Sequence, residues 1–162
     1  MLGILGRSGR ENLGIEGNFP DASMFRTVLL NTGVYQIENG RWTYALPEKI
    51  KDEGLREVWG KIRDFFTLPS QKPKNPSKLF EELIAPPLGL CVGLLPILFT
   101  AGLKAFPSAL SLTRNGSYVN DILPSEIEQL CREPDLYKLE VLELDSKRLA
   151  YLQGFYENFN SI

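Results

Sequence analysis

The sequence predicts a mainly helical α+β fold, and three observations carry that prediction. Leu55, Val58, Trp59, Ile62, Phe65 and Phe66 recur at helical spacing with Arg56, Lys61, Arg63 and Asp64 interleaved, the pattern of an amphipathic helix. Two Asn-Gly pairs, Asn39-Gly40 and Asn115-Gly116, each lie between runs rich in aromatic and β-branched residues, the strongest short-range hairpin signal. Between the hairpins, residues 83–103 form a run of 21 uncharged residues, which has to be hidden from water.

Taken in order, residues 1–20 are glycine-rich and without periodicity. Gly6-Arg-Ser-Gly-Arg10 has neither the lysine and hydroxyl of a phosphate loop nor the spacing of a nucleophile elbow. A helix is expected from Asp21, which can cap it, with Met24, Phe25, Val28 and Leu29 as its apolar stripe and Gly33 just past its end. A hairpin over 34–46 follows and ends at Pro47.

The amphipathic helix is placed at about 50–66, and the Pro-punctuated basic stretch Thr67–Lys74 is read as a linker. Asn75-Pro76 supplies a cap and a first-turn proline for a short helix with Leu79, Phe80, Leu83 and Ile84 on one side. Pro86-Pro87 stops it. The uncharged run then yields a helix over about 91–105, with Pro96 in or just past its first turn. At 12 to 15 residues it is too short to span a bilayer, which takes about 20, and reads as a central core helix. Leu94, Leu95, Ile97, Leu98 and Phe99, with Trp59 and Ile62, are its expected core.

The second hairpin spans 109–119. Ser125-x-x-Glu128 predicts a capping box for a helix carrying Ile127, Leu130 and Cys131. A strand is expected over 138–144, and Asp145 then caps a last helix with Leu149, Leu152, Phe155, Tyr156 and Phe159 on one side.

Three helices followed by a hairpin is the element order of a winged helix-turn-helix. The expected organisation is therefore an N-terminal helix and hairpin (1–48), a winged-helix-like core (49–123), and a C-terminal helix-strand-helix (124–162) packed on that core. The helix and hairpin of the first segment share this element order without a sequence repeat.

Composition narrows the chemistry. The 162 residues are 43% hydrophobic and 23% charged with a net charge of −2, ordinary for a globular protein. The first 120 residues carry 14 basic and 11 acidic side chains, while 121–162 carry 4 and 9. A nucleic-acid surface would therefore have to lie in the earlier part. Histidine is absent, which removes His-based acid–base and nucleophile chemistry and most zinc sites. Cys91 and Cys131 are the only cysteines; without CxxC spacing or a secretory leader they read as buried thiols of a cytoplasmic protein. Glu81-Glu82 and Glu140/Glu143 read as solvated faces, and Trp42, Tyr44 and Trp59 as packing residues.

Leu83-x-x-Pro86-Pro87-x-Gly89-Leu90-x-x-Gly93-Leu94-Leu95-Pro96 and Asn115-Gly116-Ser117-Tyr118-Val119, with Asn18-Phe19-Pro20 and Thr32-Gly33-Val34-Tyr35, resemble a segment of very large bacterial P-loop ATPases. These are the BREX-type-like proteins linked to restriction and phage defence. The resemblance covers roughly residues 10–160 and rests on glycine, proline and apolar positions, so it points to a structural module rather than a site. It implies a detached or truncated part of such an ATPase. The phosphate loop and acidic metal-binding strand end of those proteins are missing here.

The function expected is a non-catalytic interaction or structural module, with a protein partner or a second copy of itself and no cofactor or metal. The alternative is a winged-helix DNA-binding protein using Lys104, Arg114, Asn115 and Ser117 around the wing and Lys72 and Lys74 from the linker. Against it, the helix that would enter the major groove offers Leu, Ile, Phe and Ala and one charge, Lys104. A small membrane-associated protein is the third reading.

Overall fold

A computed structural model of the chain describes residues 20–142. The glycine-rich start, Glu143 and the helix expected after Asp145 lie outside the described residues. The class is α+β, with five α-helices and two small antiparallel sheets among those residues.

Helix α1 (Pro20–Phe25) begins at the proline, one residue before the cap expected at Asp21, and passes into a wider π-type turn, Arg26–Leu30. Gly33, at φ 78°, takes the left-handed conformation that turns the chain into β1 (Tyr35–Glu38). β1 pairs with β2 (Arg41–Tyr44) in register Tyr35↔Tyr44 to Glu38↔Arg41. Asn39 and Gly40 both have positive φ, 52° and 75°, as a two-residue type I′ turn requires.

Helix α2 (Glu53–Thr67) is the longest described. The Asp52 side chain caps it by accepting the Leu55 N–H at 2.7 Å. Helix α3 (Pro76–Ile84) starts as its sequence dictates: the Asn75 side chain accepts the Ser77 N–H at 2.9 Å, and Pro76 occupies the first turn.

The uncharged run resolves into an exposed turn, a 3-10 turn (Val92–Leu94) and helix α4 (Leu95–Ala105). Leu95, Leu98, Phe99, Thr100, Ala101 and Gly102 are buried. Leu94 and Ile97, expected inside, are half-buried against the core. Leu94 sits in the 3-10 turn before the helix, and Ile97 in the helix's first turn. The helix is thus covered all round its middle, Leu98 to Gly102, and only partly covered toward its two ends.

β3 (Leu110–Arg114) and β4 (Ser117–Tyr118) form the second hairpin, with Asn115 at φ 50° and Gly116 at φ 80° in its turn. Helix α5 (Pro124–Arg132) starts one residue earlier than expected. Leu123 precedes it and Pro124 opens it, so Ser125 lies inside the first turn and makes no capping box. β5 (Tyr137–Val141) pairs with β3 from Leu110↔Val141 to Arg114↔Tyr137, giving the sheet order β4-β3-β5.

The presumed linker is part of this body. Lys74 and Leu139 exchange two backbone hydrogen bonds, at 2.6 and 2.8 Å, which tie the α2–α3 loop to the outer edge of β5.

Aromatic rings run through the core. In the first hairpin Tyr35 packs on Trp42 and Tyr44, Tyr44 meets Trp59 of α2, and Trp59 meets Phe106 at 5.1 Å between centroids. A second group joins Phe65 and Phe66 of α2 to Phe99 of α4 and Phe80 of α3. Trp59 is fully buried, and its indole N–H donates to the Ala45 carbonyl at 2.8 Å, so burying its polar edge carries no desolvation penalty. Ile62 is equally inaccessible.

Candidate functional site

Three concave surfaces stand out among the described residues. The largest is an open cleft of about 640 Å³ where α2 ends, the α2–α3 loop crosses and α3 begins. Lys61, Lys72, Lys74 and Lys78 supply its basic groups, and Asp64 and Glu82 its acidic ones. Lys61 pairs with Glu82 at 3.1 Å and Asp64 with Arg63 at 3.0 Å. Lys74 turns inward: its ammonium donates to the Asp64 and Phe65 carbonyls at 3.1 and 2.6 Å and lies 5.5 Å from the centre of the Phe65 ring. It thus closes off carbonyls at the C-terminal end of α2. Burial lowers its pKa, with Asp64 acting in the opposite sense. Lys72 and Lys78 are exposed and have no carboxylate partner among the described residues.

The second surface is an apolar groove of about 280 Å³ between α1, α2 and the segment leading into α4. Met24, Val28, Leu55, Leu90, Leu94 and Leu98 form its wall. Met24 is 40% exposed, and Val92, in the turn next to Leu90, is 60% exposed.

The third is a concavity of about 370 Å³ at the β3–β4 tip, lined by Arg114, Asn115, Ser117, Tyr118, Val119 and Glu126. Tyr118 is 76% exposed. Arg114 donates to Glu126 at 3.2 Å, and the Tyr137 hydroxyl donates to the same carboxylate oxygen at 2.7 Å. Tyr137 and Glu126 both hold the Arg114 pKa above its usual value.

The structure therefore gathers Arg114, Asn115 and Ser117 at one hairpin tip and Lys72 and Lys74 at the α2–α3 cleft. Lys104 stands apart from both, exposed on the last turn of α4. Of the six, Arg114 is engaged by an acid and Lys74 by backbone. Neither engagement is legible in the sequence, because each depends on how a loop of about ten residues folds back.

Cys131 is half-buried, and burial pushes its thiol pKa up to about 12. Cys91, expected to be buried, is exposed, because it sits in the turn before α4 rather than in the helix. Tyr44 has a hydroxyl shut away from solvent without a hydrogen-bond partner, and burial raises its pKa. Among the described residues no three His, Cys, Asp or Glu side chains gather where they could hold a metal ion. No helix there is long and apolar enough to cross a membrane.

The chain matches no protein-family model, and none of the curated proteins or solved structures matches it.

Proposed function

We propose that this chain is a non-catalytic interaction module of the cytoplasm, built on a winged-helix-like core of α2, α3, α4 and the β3–β4 hairpin, that docks against a protein partner. The single observation supporting it most is the groove between α1, α2 and the approach to α4. Its wall is mainly apolar, its rim residue Met24 is open to water, and apolar concavities of this kind favour association. The resemblance to BREX-type-like defence ATPases supplies the first class of partner to test, a large P-loop ATPase of that type.

The test is co-expression with an ATPase of that type from the same genome and affinity purification. A Met24→Glu, Leu90→Glu pair should abolish recovery of the complex while leaving the circular dichroism spectrum unchanged. Recovery at the wild-type level would remove the groove from the interface.

A second reading, DNA binding through the wing, is favoured by the exposed β3–β4 tip with Arg114, Asn115 and Ser117. Arg114→Ala with Lys104→Ala should then weaken duplex binding and flatten its salt dependence. If the wild type gives no salt-sensitive binding to any duplex at low ionic strength, this reading fails. Arg114 is already paired with Glu126, so the protein-partner reading is preferred.

A further inference from the structure

We infer that the cleft between the end of α2 and the start of α3 is a docking site for an acidic, partly apolar peptide segment of a partner protein. The inference rests on the interaction-module reading and names a surface and a partner chemistry that the apolar groove does not supply.

Charge supplies the first argument. Both carboxylates lining the cleft are spoken for, Glu82 by Lys61 and Asp64 by Arg63. The Lys74 ammonium is turned into the end of α2. Lys72 and Lys78, exposed and without acidic partners among the described residues, therefore leave the cleft with two uncompensated positive charges. They flank the N-terminal end of α3, whose dipole adds to the same sign. A ligand carrying negative charge satisfies this surface; a basic or neutral one does not.

The walls supply the second argument. Phe65, Leu68, Pro69, Pro73 and Leu79 share the cleft with the lysines, and Leu68 is 54% exposed. A phosphodiester backbone has no use for such apolar walls. A peptide that alternates carboxylates with aliphatic side chains uses both features, with the carboxylates at the lysines and the aliphatic groups against Leu68 and the two prolines. The shape is held in place, because the Lys74–Leu139 backbone pair and the Lys74 ammonium pin the loop at both of its layers. Binding would therefore not have to order the loop first.

The probe is a fluorescein-labelled synthetic dodecapeptide of alternating Glu-Glu-Leu units, titrated with the full chain and followed by fluorescence anisotropy at 50 mM and 500 mM NaCl. Saturable binding is expected at low salt and weaker binding at high salt. Lys72→Glu with Lys78→Glu should weaken it about tenfold or more, since each reversal exchanges an attraction for a repulsion. Lys72→Gln with Lys78→Gln should fall between, and Lys104→Glu, which lies outside the cleft, should bind as the wild type does. Leu68→Ser should weaken binding without changing its salt dependence.

No binding, or wild-type affinity in the double Glu variant, would overturn the inference. So would displacement of the probe by a duplex DNA oligonucleotide at lower concentration than by unlabelled peptide, which would make the cleft a phosphate-backbone surface. If the partner ATPase of the co-expression test still co-purifies with the double Glu variant at the wild-type level, the interaction-module reading survives and this cleft is not its docking site.

Discussion

Gly102 of α4 packs directly against Ile62 and Phe66 of α2. A Cβ placed there would lie 2.3 Å from Cγ2 of Ile62 and 3.0 Å from Cε2 of Phe66. Both neighbours are almost fully buried, and the Ile62 methyl is held on a stiff β-branched stem. Gly102→Ala should therefore destabilise the protein. The gain in helix propensity is about 1 kcal/mol, while overpacking costs about 1–3 kcal/mol, so the urea midpoint should fall rather than rise. A second prediction concerns Cys131, whose folded-state pKa is raised from 9.0 to about 12 by burial. A raised pKa means that the unfolded chain ionises first. The thiol leaves stability unchanged below about pH 9 and erodes it as pH rises from there toward 12, by at most about 1.4 kcal/mol per pH unit. Cys131→Ala should flatten that alkaline slope in urea titrations between pH 8 and 11. Lys74, lowered by burial, acts with the opposite sign in the same alkaline range and offsets part of the loss.

Elements whose determinants are local were legible in the sequence, and those determined by distant partners were not. Both Asn-Gly hairpins, the stripe of α2 and the Asn75-Pro76 start of α3 follow from residues within a few positions of each other. The start of α5 depends on a choice between two adjacent caps, and Pro124 in the first turn prevails over the Ser125 capping box. The pairing of β5 with β3 and the bridge that fastens the α2–α3 loop to β5 span about 25 to 65 positions of the chain, the longest from Lys74 to Leu139, which no short window reveals. The candidate surfaces suffer for the same reason: the basic residues were visible, but which of them were already committed was not. For α4 the uncharged run gave the core face, yet Leu94 and Ile97 emerge half-covered. Phe99, at the meeting point of Phe65, Phe66 and Phe80, carries the element-scale prediction. Phe99→Asp buries an unpaired carboxylate at a cost of several kcal/mol, comparable to the whole stability of a domain. It should yield insoluble protein or a chain without a cooperative melt. A soluble variant with a wild-type melting temperature would show that α4 is not the centre of the core.

Across the whole molecule, Glu126 joins three elements. Its carboxylate takes the Tyr137 hydroxyl of β5 and the Arg114 guanidinium of β3 while it rides on α5. Glu126→Ala should cost about 1–3 kcal/mol, mostly from leaving the Tyr137 hydroxyl without an acceptor. The Arg114 arm, 47% exposed, contributes less. Glu126→Gln keeps an acceptor and should recover most of the loss in the same denaturant titration.

The position of β5 also sets a timetable for synthesis. Lying between β3 and the α2–α3 loop, it is made after every other described element yet closes one side of the sheet. While the ribosome is still working, the edge of β3 that β5 will cover stays open and the loop at Lys74 has nothing to fasten to. The nascent chain must spend that interval with an unclosed strand edge, the moment at which a chaperone would have most to offer.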